Sequence, residues 1–294
     1  VGNFGPGFDV LSLALDRPGD TVGLARSSGG DEVLVSGVGA ERVPREWSRN
    51  AACAAIDFLR LQTGRDEPLR VAIHKGVPPG SGLGSSASSS AAAVRAFVEL
   101  HGLEIDAALA VDAAAQGEAV ASGGAHRDDV GAALFGGLVV VGRSPDAVVR
   151  LRAPPLWLAV ARPDVELTTR EMRALIPDAL PRADVVANLG NVARLVHACH
   201  AQDAELLCRA LDDRLSKPYR APRVPRFAEM EAAARGAGAK AFLLSGSGPA
   251  VVAACTSAGD ATRTLEALRP LVEKGDAFLA RPLAEVKSPG IRLP

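Results

Sequence analysis

Glycine-rich turns are common, but the one at Val77–Ala87, VPPGSGLGSSA, is constrained on both sides. The alternating apolar run Leu69 to Ile73 predicts a half-buried strand leading into it. Beyond it, Ser85 to Leu100 is Ala-rich and then carries Val94, Phe97, Val98 and Leu100, which predicts a helix packing one face on a core. A helix start presents unpaired N–H groups and the positive end of the helix dipole, so strand, glycine turn and helix in this order suit an anion. Gly80, Gly82 and Gly84 allow positive φ and close approach of a ligand to the backbone. Ser85, Ser86 and Ser88 add hydroxyls for capping the helix, bonding phosphate or ligating a metal. A flexible linker is the competing reading, but patterned flanks and the stiff pair Pro78-Pro79 argue against it. No Gly-Lys-Ser/Thr follows, so the loop is not a Walker A, and Ser85 stands where a dinucleotide fingerprint has its last glycine. His74 and Lys75, just before the loop, read as solvated strand-end residues, with attraction of phosphate as the alternative.

Composition narrows the class of partner. At 294 residues there is room for one large domain or two medium ones. The 48% hydrophobic and 23% charged content is that of a soluble globular enzyme. A net charge of −1 with no basic block speaks against nucleic acid. No apolar run reaches the roughly 20 residues of a membrane span. Cys53, Cys199, Cys208 and Cys255 lack metal-type spacing and read as buried, reduced thiols of a cytoplasmic protein. No secretory leader is expected.

Along the chain, Val1–Asp9 (VGNFGPGFD) is a second glycine-rich turn, which in isolation reads as a surface loop. Leu11–Leu15, Thr21–Ala25 and Val33–Val38 have strand and hairpin spacing. Helices are predicted over Ser48–Leu61, stopping near Gly64, and over Asp106–Ala121, stopping at Ser122-Gly123-Gly124. On the residues alone, Glu118 near the end of that helix is a solvated charge and His126–Asp129 a polar surface loop. Leu138–Val141 and Val148–Leu151 read as strands, and Ala153-Pro154-Pro155 as a stiff break between domains 1–153 and 154–294. The second half reads as a strand at Leu156–Ala161, a helix opened by a Thr168/Glu171 capping box, and helices over 183–200, 205–215 and 225–235. Two strands then flank Ser245–Pro249, followed by a helix over 260–274 and a strand from Ala277.

Three stretches together resemble the GHMP kinases, the galactose, homoserine, mevalonate and phosphomevalonate kinase superfamily. Pro78-x-x-x-Gly82-Leu83-Gly84-Ser85-Ser86-Ala87 is similar to the family's ATP-binding motif. VGNFGPGFD resembles the first motif of the homoserine kinases within it, Asn-Leu-Gly-Pro-Gly-Phe-Asp, with Phe4 in place of Leu; the strand that usually precedes the motif is absent from the sequence. Ser245-Gly246-Ser247-Gly248-Pro249 resembles the third motif, Gly-x-Gly-Pro after a strand. The resemblance covers nearly the whole chain in family order. It implies a two-domain α/β (α+β) fold with an N-terminal ATP-binding domain and a C-terminal ferredoxin-like domain.

It also implies site residues. Pro78, Pro79, Gly80, Ser81, Gly82, Leu83, Gly84, Ser85, Ser86 and Ala87 would hold ATP, and Glu118 with the Ser86 hydroxyl would ligate Mg²⁺. The family order of a helical Glu, then His-x-Asp-Asn, then an apolar Gly-Gly segment is met by Glu118, His126–Asp129 and Leu134–Gly137. Asn3, Asp9, His126, Asp129, Arg173 and Arg220 become contacts of the acceptor. Asp9 would pair with its ammonium; Arg173, in Thr169-x-x-x-Arg173, would clamp carboxylate or γ-phosphate, and Arg220, in Lys217-Pro218-Tyr219-Arg220, which resembles the family's Glu-Pro-x-Arg, would be a second carboxylate clamp. Of these, Asn3, Asp129 and Arg173 would be the catalytic residues. One departure is Asp129, where the family has Asn. A carboxylate only accepts hydrogen bonds, so Asp129 is open to three roles: a firmer grip on ammonium, a base on the acceptor hydroxyl, or the mark of another acceptor.

The resulting expectation is ATP-dependent phosphorylation of the homoserine hydroxyl, with small-molecule partners only and a homodimer left open. Another small hydroxy acid such as mevalonate, or a non-catalytic nucleotide sensor on the same scaffold, stands as the alternative; retention of both Ser86 and Glu118 speaks against the sensor. A dehydrogenase is disfavoured by the broken fingerprint.

Overall fold

A computed structural model describes residues 1–142 and 148–293. The strand entering the glycine turn runs Leu69–Lys75 with every second residue buried, and it takes the centre of its sheet. Thr21–Arg26 pairs antiparallel on one side of it and Glu32–Gly37 parallel on the other. The hairpin expected from the spacing of the first two strands is therefore not formed. The most apolar strand is inserted between them, because it alone can bury a full face. Its parallel partner requires a crossover, supplied by the helix Ala51–Thr63. Asn50 starts that helix by accepting from the amides of Ala52 and Cys53, and Gly64 stops it in the left-handed conformation.

The helix after the turn spans Ser85–His101 and packs with Ala107–Ser122 and Ala51–Thr63 over one continuous apolar core that includes Ile56, Val71, Val94, Phe97 and Val111. Most of the small residues on these helices are fully buried, so the three pack closely. His126–Asp129, expected as a loop, instead opens the helix Arg127–Phe135. Two acidic residues in a first turn complement the helix dipole, a reason this sequence is helical despite its polarity. Leu11–Leu13, Leu138–Val141 and Val148–Leu151 form a separate three-stranded sheet in the order first, second, third.

The second half is built on four antiparallel strands, Trp157–Arg162, Ala241–Leu244, Val251–Cys255 and Asp276–Ala280. Numbered in chain order they lie 4-1-3-2, the ferredoxin-like arrangement that the resemblance implies. Phe227–Gly236 and Ala258–Val272 cover one face, with Phe227, Met230, Phe242 and Leu268 in that core. The other face joins the first half: Phe4, Leu11, Leu13 and Leu138 share a buried cluster with Leu158, Val160, Leu195 and Leu243. The end of the chain returns to the first half, where Ile291–Arg292 pairs parallel with Ile105–Asp106. No helix among the described residues is long and apolar enough to cross a membrane.

Candidate active site

The glycine turn, the first turn and the Gly-Ser-Gly turn of the second half converge on one cleft. No side chain caps the helix Ser85–His101; its N-cap is Gly84, left-handed at φ 72°. The serines are engaged elsewhere. Ser85 donates to the Val77 carbonyl at 2.8 Å, Ser88 accepts from the Asp20 amide, and Ser86 donates to Glu118 at 2.5 Å. The amides of the first helical turn are thus left for an anion, and capping by serine is not the role these residues take. Gly82 carries φ 77°, and a Cβ there would sit 2.5 Å from the Gly248 carbonyl oxygen. Only glycine lets the two turns touch. Ser245 donates to the Gly82 carbonyl at 2.7 Å and the Ala250 amide to the Ser81 carbonyl at 3.1 Å, so the second half props the loop through its backbone. Arg42 and Glu166 add a bridge across the halves beside Gly80.

The support beneath the loop was not legible in the sequence. Lys75 is 2% exposed and turned inward, neither solvated nor facing a phosphate. It pairs with the buried Asp20 carboxylate and donates to the Ser85 carbonyl at 2.9 Å and to Ser89 at 2.8 Å. Asp20 also accepts from the amides of Gly76 and Val77, both at 2.9 Å, and from Ser89 at 2.7 Å. Strand end, loop entry and helix start are thereby tied to one ion pair. His74, by contrast, is exposed as expected.

Every residue expected to touch the acceptor lines this cleft: Asn3, Asp9, His126, Asp129, Arg173 and Arg220. Asn3 and Asp9 both adopt positive φ, which Asn and Asp tolerate. The Asn3 side chain accepts from the Asp9 amide at 2.8 Å, so it shapes the turn, while Phe4 is fully buried and anchors it. Arg173 forks onto Asp9 at 2.7 and 2.8 Å, and that bond holds its pKa above the ordinary value. Arg220 is 1% exposed and has no carboxylate partner among the described residues. Burial, with Arg173 nearby, lowers its pKa to about 10.

Glu118 is buried and bonds Ser86 through one oxygen and His126 Nδ1 through the other at 3.2 Å. This contact raises the His126 pKa. A carboxylate and a hydroxyl meeting at the mouth of an uncapped helix fit Mg²⁺, which takes few protein oxygens and completes its shell with phosphate and water. Asp128, which sequence reasoning passed over for its neighbour, is the more buried of the two aspartates. Ser12 bridges them, donating toward Asp128 at 3.0 Å and Asp129 at 3.1 Å. The only available signal was its position inside the His126–Asp129 motif; Ser12 had none.

Burial, and then the Asp129 charge, push the Asp128 carboxyl from 3.8 up to about 7. Asp129 is raised too, chiefly by burial. A raised acid contributes stability that is complete below its unfolded value and is lost as pH rises through its folded one. Asp128→Asn, which cannot ionise, is therefore expected to gain on the parent by about 2–4 kcal/mol between roughly pH 4 and pH 8. Urea unfolding of the nucleotide-free proteins checks this, and a constant difference across that range would refute it.

The N-terminal domain of the GHMP kinases matches residues 50–137 and their C-terminal domain matches residues 195–272. A homoserine kinase of Halobacterium salinarum is 40% identical over 253 residues, 86% of this chain and 81% of that protein. One of Pyrococcus abyssi is 37% identical over 254 residues, 86% and 84% of the two chains. Among solved structures, a homoserine kinase from Cytophaga hutchinsonii superposes with a TM-score of 0.88 at 31% identity, over 98% of this chain and 93% of that one.

Proposed function

The chain belongs to the GHMP kinases, and on that premise we propose that it is a homoserine kinase. It transfers the terminal phosphoryl group of ATP to the side-chain hydroxyl of L-homoserine, giving O-phospho-L-homoserine, a step of threonine biosynthesis. The observation that carries this reading is the content of one cleft: an uncapped glycine-rich helix start and the Glu118–Ser86 pair at one end, and Asp9, Arg173 and buried Arg220 at the other. The first set suits a triphosphate, and the second offers both charges an α-amino acid needs. The domain division near residue 153 and a cytoplasmic location, in keeping with four buried free thiols, belong to the same proposal.

Phosphoryl transfer asks a protein mainly for alignment and charge compensation. The amides of Gly82–Ala87 bind the phosphates, backed by the Lys75–Asp20 pair. Glu118 and Ser86 would hold Mg²⁺, which when bound offsets charge on the phosphate oxygens. Arg173, Arg220 and Asp9 fix the amino acid so that its hydroxyl faces the loop; such positioning is worth about 7–11 kcal/mol at its best. His126 steadies Glu118 from behind. The hydroxyl proton leaves during transfer, and Asp129, which lines the same cleft, can take it in its ionised form.

ADP release from Mg·ATP with L-homoserine, mevalonate, shikimate or no acceptor tests the reading. Turnover with homoserine alone is expected. Turnover with a different acceptor overturns the acceptor assignment, and none with any overturns the kinase reading.

A further inference from the structure

The best-formed ion pair in the cleft joins two residues assigned to opposite ends of the same substrate. Arg173 Nη1 and Nη2 grip the two oxygens of Asp9 at 2.8 and 2.7 Å. Arg220, next to it, donates among the described residues only to the carbonyls of Met172 and Gly246, at 3.1 and 3.2 Å. Both guanidiniums face the ring of Phe8, at 5.4 Å for Arg173 and 5.1 Å for Arg220. Phe8 is the residue before Asp9, so one turn supplies both the carboxylate that holds Arg173 and the ring that supports it.

We propose that the Asp9–Arg173 pair is an exchange lock that admits zwitterions and disfavours ligands carrying one charge. This rests on the homoserine kinase reading. An α-amino acid replaces one ion pair with two: its ammonium takes Asp9 while its carboxylate takes Arg173 together with Arg220. A hydroxy acid without an amine must pull Arg173 away and leave Asp9 unpaired beside Asp128. An amino alcohol without a carboxylate takes Asp9 and leaves Arg173 unpaired beside Arg220. Either half-match breaks the Asp9–Arg173 pair and gives a new partner to only one of its two members, so the site discriminates by repulsion as well as attraction. Phe8 is a positioning residue in this scheme. Cation–π contact keeps both forks in place when Asp9 lets go, and it gives no preference between carboxylates.

The decisive variant is Asp9→Asn, which keeps a residue tolerant of positive φ in the turn and removes only the charge. Two ligands are compared by isothermal titration in the presence of Mg·ADP: L-homoserine and 4-hydroxybutanoate, the same molecule without its amine. Homoserine binding is expected to weaken at least tenfold. Binding of 4-hydroxybutanoate is expected to tighten by about two- to fivefold, the range that release of an exposed ion pair provides. The lock requires that freeing Arg173 helps the anion, so unchanged or weaker 4-hydroxybutanoate binding overturns it. If the parent enzyme binds 4-hydroxybutanoate as tightly as homoserine, the lock is overturned as well. Failure of the underlying reading looks different: the parent protein would not turn over homoserine, and the proposal would fall with it.

Discussion

Glu118→Ala is expected to lower kcat by roughly 10²–10³-fold, the size of effect seen when one preorganised electrostatic contact to a transition state is removed. The argument is positional. The carboxylate is buried, yet both its oxygens are committed to cleft residues, one to Ser86 in the first turn of the phosphate-loop helix and one to His126. Its helix is held by Ala110, Val111, Ala114 and Ala115, all in the core and independent of the carboxylate. Loss of Glu118 should therefore leave the urea midpoint close to that of the parent. Removal also takes away the contact that raises the His126 pKa, so that histidine should titrate nearer its ordinary value in the variant. Glu118→Gln separates shape from charge: it keeps the hydrogen bonds but offers a cation far less. Both variants should require more Mg²⁺ for half-maximal rate. A kcat within twofold of the parent at saturating Mg·ATP, in a folded protein, would remove Glu118 from the transfer chemistry.

The parts of this site that could be read from the sequence are those written in local order. Strand, glycine turn and helix follow one another within Leu69–His101, and the turn, cap and apolar signals all lie within a few residues of what they control. The same holds for Ala107–Ser122, which ends at Gly123 as expected, and for the Thr168/Glu171 capping box. The parts that stayed hidden depend on partners far apart in the chain. The central place of Leu69–Lys75 in its sheet is a competition among three strands that no single window contains. Asp128 and Asp129 are consecutive carboxylates, and the hydroxyl that bridges them belongs to Ser12, more than a hundred residues earlier. The Asp9–Arg173 fork likewise crosses from the first turn to the second half of the chain. The resemblance brought these residues to one site; it did not indicate that they hold each other.

Lys75→Met, beneath the glycine turn, should destabilise the protein by about 3–5 kcal/mol, because it removes one partner of a buried ion pair. Against a total stability of roughly 5–15 kcal/mol that is a large fraction. Asp20 would keep the Gly76, Val77 and Ser89 donors, and these hold the loss toward the lower end of the range. What cannot be recovered is the link from strand to helix, since Lys75 alone reaches the Ser85 carbonyl and Ser89 together. Activity should therefore suffer beyond stability: the loop entry is freed, and the KM for ATP should rise even in the folded fraction at low temperature. A double-mutant cycle with Asp20→Asn isolates the pair. Replacing both charges removes the stranded carboxylate, so the double variant should be more stable than Lys75→Met alone. Urea unfolding near pH 7 gives all four corners. If the two single losses simply add, to within about 0.5 kcal/mol, the pair is not coupled, and the loop must owe its shape to the Ser245–Gly82 contact from the second half instead.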